Sequence, residues 1–197
     1  GKTWTDLTSS TSYQSMGGTL SSGDKVLVKG INDTYASNDL GYYNHFVSTA
    51  KINVYGNIMS LISGDNFVDN KTLTQINTFY SLFSNNSKLL SAKNLVLPAT
   101  TLTNYCYSNM FKGCASLTQA PELPAKALVN SCYYAMFSGC NKLNYVKCLA
   151  TDISATGCTS NWVNGVASTG TFVKASSMTS WTTGAKGIPT GWTVQDA

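Results

Sequence analysis

One period governs the middle of the chain. Met110, Phe111, Gly113, Cys114, Leu117 and Leu123 return 26 residues later as Met136, Phe137, Gly139, Cys140, Leu143 and Leu149. Cys106, Cys132 and Cys158 form another column at the same spacing. Self-similarity at such a period marks a solenoid: each repeat is too small to bury its apolar face alone, so neighbours must stack to make a continuous core. Upstream the spacing lengthens. Leu61 precedes Leu89 by 28 residues and Thr78 precedes Cys106 by 28, which places a two-residue insertion near Asn94 to Val96.

Each repeat reads as the same parts. A short strand comes first, at Leu89 to Ala92, Leu117 to Ala120, Leu143 to Val146 and Thr171 to Val173, and a second extended piece ends at Pro98 or Pro124. A helical turn follows, YCYSNMFKG at 105–113 and CYYAMFSG at 132–139. Asn104 and Ser131 are placed to cap it at the N-terminus. Gly113, Gly139, Gly165 and Asn85 fall where a left-handed residue ends a helix. Cys132, Met136 and Cys140, spaced i, i+4, i+8, with Phe137 beside them, would then look inward.

The flanks differ. TWTDLT, DKVLVKG and KINVYG read as short strands, SSGDK at 21–25 as a turn and INDTYASNDLG at 31–41 as a polar loop. This gives a β-rich N-terminal region over 1–56 that covers one end of the solenoid, and a solenoid over 57–197. After Cys158 the pattern degrades. Trp162 takes the Met column, Gly165 keeps the Gly column, Phe172 keeps the strand column, and Trp181 and Trp192 complete an aromatic C-terminal cap from about 166 to 197. The fold class expected is therefore α/β, a right-handed leucine-rich-repeat-like solenoid of 26-residue repeats with a cap at each end.

Only 11% of the residues are charged, and all 13 basic residues are Lys. Without Arg, the usual bidentate reader of phosphate and guanine, and with no run of Lys, nucleic acid is not an expected partner. No apolar stretch approaches the ~20 residues of a membrane span, and the chain has no signal peptide, as a trimmed mature form would not.

The tempting side chains read as structure first. The six Cys contain no CxxC and have only His45 to join them, so neither a zinc site nor redox catalysis is expected. Free buried thiols suit their inward positions, because packed helices stand too far apart for an unstrained bridge; Cys148–Cys158 is the one disulfide the spacing leaves open. His45 has neither nucleophile nor paired carboxylate near it in sequence. Eight Asp and one Glu are scattered, and Asp33 and Asp39 with Asn32 and Asn38 lack the spacing of an EF-hand loop. No catalytic residue, metal or cofactor is expected.

Eleven Tyr and four Trp are a richer hint, since aromatic faces stack on sugars and Tyr adds a hydroxyl. Tyr80 and Tyr134 share the outward position of the helical-turn column, where Ser108 stands between them, and Tyr145 holds the strand position of Gln119. Those four are the candidate ligand residues.

The motif MF-x-GC-x2-L, with APELPA, LPATTL and the ending GIP-x-GWTVQDA, resembles the BspA-like leucine-rich-repeat surface proteins of Bacteroidetes, and is similar to their AF-x-GC-x2-L repeat with Met for Ala. The likeness covers about residues 54–197, led in by NVYGNIMSLI at 53–62. It implies a secreted or lipid-anchored protein, extracellular or at the outer-membrane surface, with any anchor upstream of this chain, and a role in adhesion. The motif residues are core, so no binding residue carries over. The function expected is a non-enzymatic, monomeric interaction protein presenting a repeat surface to protein or matrix ligands, the alternative being a module that captures glycans.

Overall fold

A computed structural model of the chain describes residues 21–39 and 42–197. It is a parallel β-solenoid of about four coils. Six strands form one sheet in chain order, β1 (Ile52–Asn57), β2 (Leu89–Val96), β3 (Gln119–Leu123), β4 (Tyr145–Cys148), β5 (Thr171–Lys174) and β6 (Thr193–Asp196), each parallel to the next. Ser91 pairs with Gln119, Gln119 with Tyr145, and Tyr145 with Thr171, so the register advances by 28, 26 and 26 residues. The last step, Thr171 to Thr193, is 22. The two extra residues of the first of these steps lie in β2, which runs to Val96 and pairs its far end with β1 through Asn94, Leu95 and Val96.

The opposite ribbon of each coil departs from the expected helix. Among the described residues the only α-helix is Ser60–Ser63. At 77–86, 105–114, 131–140 and 157–165 the backbone instead makes overlapping turns in which every second N–H donates to the carbonyl three residues back, as Ser108 N to Tyr105 O and Met110 N to Tyr107 O at 3.0 and 3.2 Å. Every fourth residue has a left-handed backbone: Asn77, Ser81 and Asn85, then Tyr105, Asn109 and Gly113, then Ser131, Ala135 and Gly139, then Gly157, Asn161 and Gly165. Ser131, at φ 50°, is thus not a helix N-cap, and its N–H goes to Thr156 of the next coil. An inward side chain at every fourth residue is close enough to a period of 3.6 to mimic a helix in sequence.

In the first three ribbons the alternate N–H groups point to the next coil. Asn77, Phe79, Ser81, Phe83 and Asn85 donate to the carbonyls of Asn104, Cys106, Ser108, Met110 and Lys112 at 2.7–3.1 Å. The peptide that accepts at Cys106 O donates at Tyr107 N to Cys132 O, and the peptide there donates at Tyr133 N to Cys158 O. Five such chains of peptide groups run side by side through four coils.

Between ribbon and sheet lies one core. Phe83, Phe111 and Phe137 stack with centroids 5.4 and 5.6 Å apart and planes within 12°. Beside them Phe79, Tyr107, Tyr133 and Trp162 make a second ladder, completed by Trp181 on Trp162 at 5.5 Å and 6°. Trp162 Nε1 donates to Gly187 O and Trp192 Nε1 to Ala167 O, which ties the C-terminal segment to the last coil. Leu117 and Leu143, expected to open strands, sit fully buried in the corners just before β3 and β4.

Tyr35 and Phe46 of the N-terminal region continue the stack. Tyr35 N donates to Thr78 O and Phe46 N to Leu82 O, the same bonds that Phe79 and Phe83 make to the following coil; the Tyr35 ring stacks on Phe79 and the Phe46 ring lies tilted against Phe83. Ten residues separate Tyr35 from Phe46 where three separate Phe79 from Phe83; the surplus makes an excursion closed by an antiparallel bridge from Ala36 to Tyr43. Of the expected N-terminal strands, KINVYG is β1, DKVLVKG is irregular and TWTDLT lies outside the described residues. The turn at 21–25 is present, closed by Asp24 N on Ser21 O. The expected division at 56/57 falls at the end of β1, a strand of the common sheet.

Candidate functional site

One column on the outward face of the sheet consists of uncharged side chains aligned by register. Ser91, Gln119, Tyr145, Thr171 and Thr193 are successive Cα partners on β2 to β6. Neighbouring strands stand about 4.8 Å apart, so these hydroxyl, amide and phenol groups repeat at that interval along the solenoid. The inward residue of the same strands, Ala120, Val146 or Phe172, is buried. In the next outward position Glu122 pairs with Lys147, with 2.9 Å between Nζ and Oε2. The hydrogen bond to Glu122 raises the Lys147 amine above its usual range. β3 needs a register shift between Gln119 and Glu122 to make this pair, at the point where Pro121 supplies no N–H.

Of the four candidate ligand residues, the structure brings Gln119 and Tyr145 together on adjacent strands. It puts Tyr80 and Tyr134 on the turn ribbon, in the same column and two coils apart, with Ser108 between them. The pairs therefore belong to two surfaces. Sequence reasoning missed Tyr43: it lies in the excursion, its ring edge-on to Tyr80 at 5.6 Å and 75°, and it is 42% exposed. No periodicity could have placed it, because the excursion interrupts the repeat. His45 packs on Tyr43 at 5.6 Å.

The other tempting groups are turned inward or engaged. Asn32 gives its side-chain amide to Tyr35 Oη and Leu61 O, while Asp39 takes the Ser37 hydroxyl, so the Asn and Asp of this loop are not gathered around one point. Among the described residues no three His, Cys, Asp or Glu side chains are placed to hold a metal ion, and no helix is long and apolar enough to cross a membrane.

All six thiols are free and buried. Burial pushes Cys106, Cys114 and Cys148 up to about 12 and raises Cys132, Cys140 and Cys158 as well. A thiol held protonated is a poor nucleophile. Three of them act as hydrogen-bond donors: Cys114 Sγ to Phe83 O and Cys140 Sγ to Phe111 O, both at 3.0 Å, and Cys158 Sγ to Ile153 O at 3.2 Å. Desolvation likewise holds the Tyr107 and Tyr133 phenols well above their usual range.

The arrangement can present surfaces, and its six thiols and the Tyr107 and Tyr133 phenols are sealed in the core. Comparison of the chain with protein-family models, with curated proteins and with solved structures finds no match.

Proposed function

We propose that the chain is a non-enzymatic interaction module of leucine-rich-repeat type, right-handed and closed at each end by its terminal segments, that offers the outward face of its sheet to protein or extracellular-matrix ligands. The observation that carries this is the column Ser91, Gln119, Tyr145, Thr171 and Thr193, five uncharged hydrogen-bonding side chains held in line by strand register. Such a row matches a partner by shape and hydrogen bonding, with Tyr145 as the amphipathic anchor common at interface centres. The sealed thiols fit a module that binds rather than reacts. The resemblance to BspA-like surface proteins supplies the location, extracellular or on the outer membrane with any lipid anchor upstream, and the adhesive role of a monomer.

The test is binding of the purified chain to immobilised collagen, laminin and fibronectin. Saturable binding to one of them that falls about tenfold or more in a Gln119→Ala, Tyr145→Ala double variant of unchanged melting temperature supports the reading. Binding unchanged in that variant, or no binding to any of the three, counts against it. A second reading, capture of glycans, is favoured by Tyr80 and Tyr134 standing in one column of the turn ribbon.

A further inference from the structure

We infer that the turn ribbon carries a groove for a linear, neutral polysaccharide, running along the solenoid axis over Tyr43, Tyr80 and Tyr134. The inference rests on the glycan reading just given, and names its site and ligand class.

The peptide units 80–81, 108–109 and 134–135 stack through Ser81 N to Ser108 O and Asn109 N to Tyr134 O, so Tyr80, Ser108 and Tyr134 occupy one column in successive coils. The middle side chain is short and 1% exposed, and Tyr134 is 38% exposed. Two tall rings thus flank a low step, about 10 Å apart at a rise of about 4.8 Å per coil. The excursion adds a third ring: Tyr43 stands edge-on to Tyr80. Tyr35 and Phe46 alone complete the end of the stack, so this placement is something the surplus residues add to the fold.

Beneath the step the polar groups are buried and bonded to one another: Ser108 Oγ donates to Tyr134 O and Asn109 Nδ2 donates to Ser108 Oγ, which leaves the rings as the contact surface. Rings spaced along one line suit a pyranose chain, whose C–H faces stack on phenols and whose hydroxyls can bond the phenol Oη groups. The advance per coil is close to that of one sugar unit in an extended glycan, so successive units meet successive positions. The column, Tyr–Ser–Tyr, is uncharged, which selects a neutral polymer over a uronate.

The experiment is electrophoresis of the full chain through gels containing mixed-linkage β-glucan, arabinoxylan or glucomannan, then calorimetry with oligosaccharides of the polymer that retards it. Retardation is expected. Affinity should rise about tenfold from disaccharide to hexasaccharide and fall about tenfold in Tyr80→Ala and in Tyr134→Ala, with a smaller loss in Tyr43→Ala. A Tyr80→Phe variant, which keeps the ring, should retain most of the affinity and so separates stacking from misfolding. Retardation that survives all three alanine variants but is lost in Tyr145→Ala overturns this groove and leaves glycan capture on the sheet. No retardation by any of the polymers overturns the groove and the glycan reading together.

Discussion

The side-chain amide of Asn86 donates to the carbonyl of Phe46 at 3.1 Å. The thiols of Cys114 and Cys140, one and two coils on, make the equivalent bond to Phe83 and Phe111. A residue of the N-terminal segment thus serves as acceptor in a column that otherwise belongs to the repeats. Phe46 is also the last ring on the Phe83 ladder. Replacing it by Ala should destabilise by about 1–3 kcal/mol, less than a fully buried Phe because one face is partly open. The measure is a urea midpoint; an unchanged midpoint would mean that the segment adds nothing to the stack.

Phe137 is fully buried, with Phe111 on one side and Trp162 on the other. Phe137→Ala should cost about 3–5 kcal/mol and Phe137→Leu clearly less, because Leu leaves a smaller cavity. A loss under about 1 kcal/mol for the alanine variant would remove the ring from the core.

Left-handed positions should respond in opposite directions. Gly139 has φ 78°, and a Cβ there would meet only Gly113 atoms at 3.6 Å, an ordinary contact. Gly139→Val should therefore lose about 1–2 kcal/mol through backbone strain alone. Ala135 holds φ 48° without glycine's freedom, and Ala135→Gly should be neutral or gain up to about 1 kcal/mol. Thermal melts of the two variants decide the matter, and a stabilised Gly139→Val would contradict the turn geometry.

Stability should be alkali-sensitive. The thiols titrate near 9 when unfolded, and Cys106, Cys114 and Cys148 near 12 in the folded chain. Between those values the unfolded state binds fewer protons than the folded one, so the thiol contribution is complete below about pH 9 and is lost as pH rises towards 12. Denaturant midpoints across that window should fall, and a Cys106→Ala, Cys148→Ala variant should fall less steeply. At pH 8 the native thiols should resist a disulfide reagent that titrates all six in denaturant. Cys158, in the last complete coil, should react first as that end opens.

The 26-residue register was legible because stacked coils demand the same residue type at the same place; Phe111 and Phe137 are stacked in space as they are aligned in sequence. The turn ribbon was misread as helix because Cys132, Met136 and Cys140 fit a step of four as well as a step of 3.6, and hydrogen bonds to another coil leave no local signature. What distinguishes the two is Ala135 and Tyr105 with positive φ, a conformation their side chains do not advertise. The pseudo-coil of Tyr35 and Phe46 was hidden by the excursion between them. Gln119 and Tyr145 could be placed side by side from their columns, whereas Tyr43 reaches Tyr80 only through tertiary folding of the interrupted segment.

The five chains of peptide groups give the solenoid a permanent electrical direction. Every linking N–H faces the C-terminal end and every linking C=O the N-terminal end, so the small dipoles add along the axis as they do along an α-helix, though the chain itself runs crosswise. The end near Tyr35 and Phe46 is therefore the negative pole, already met there by two backbone N–H groups, and the end near Gly165 is the positive one. A lysine introduced on the first coil and an acid on the last should each be favoured, and the reverse pair disfavoured, although neither would touch a charged neighbour.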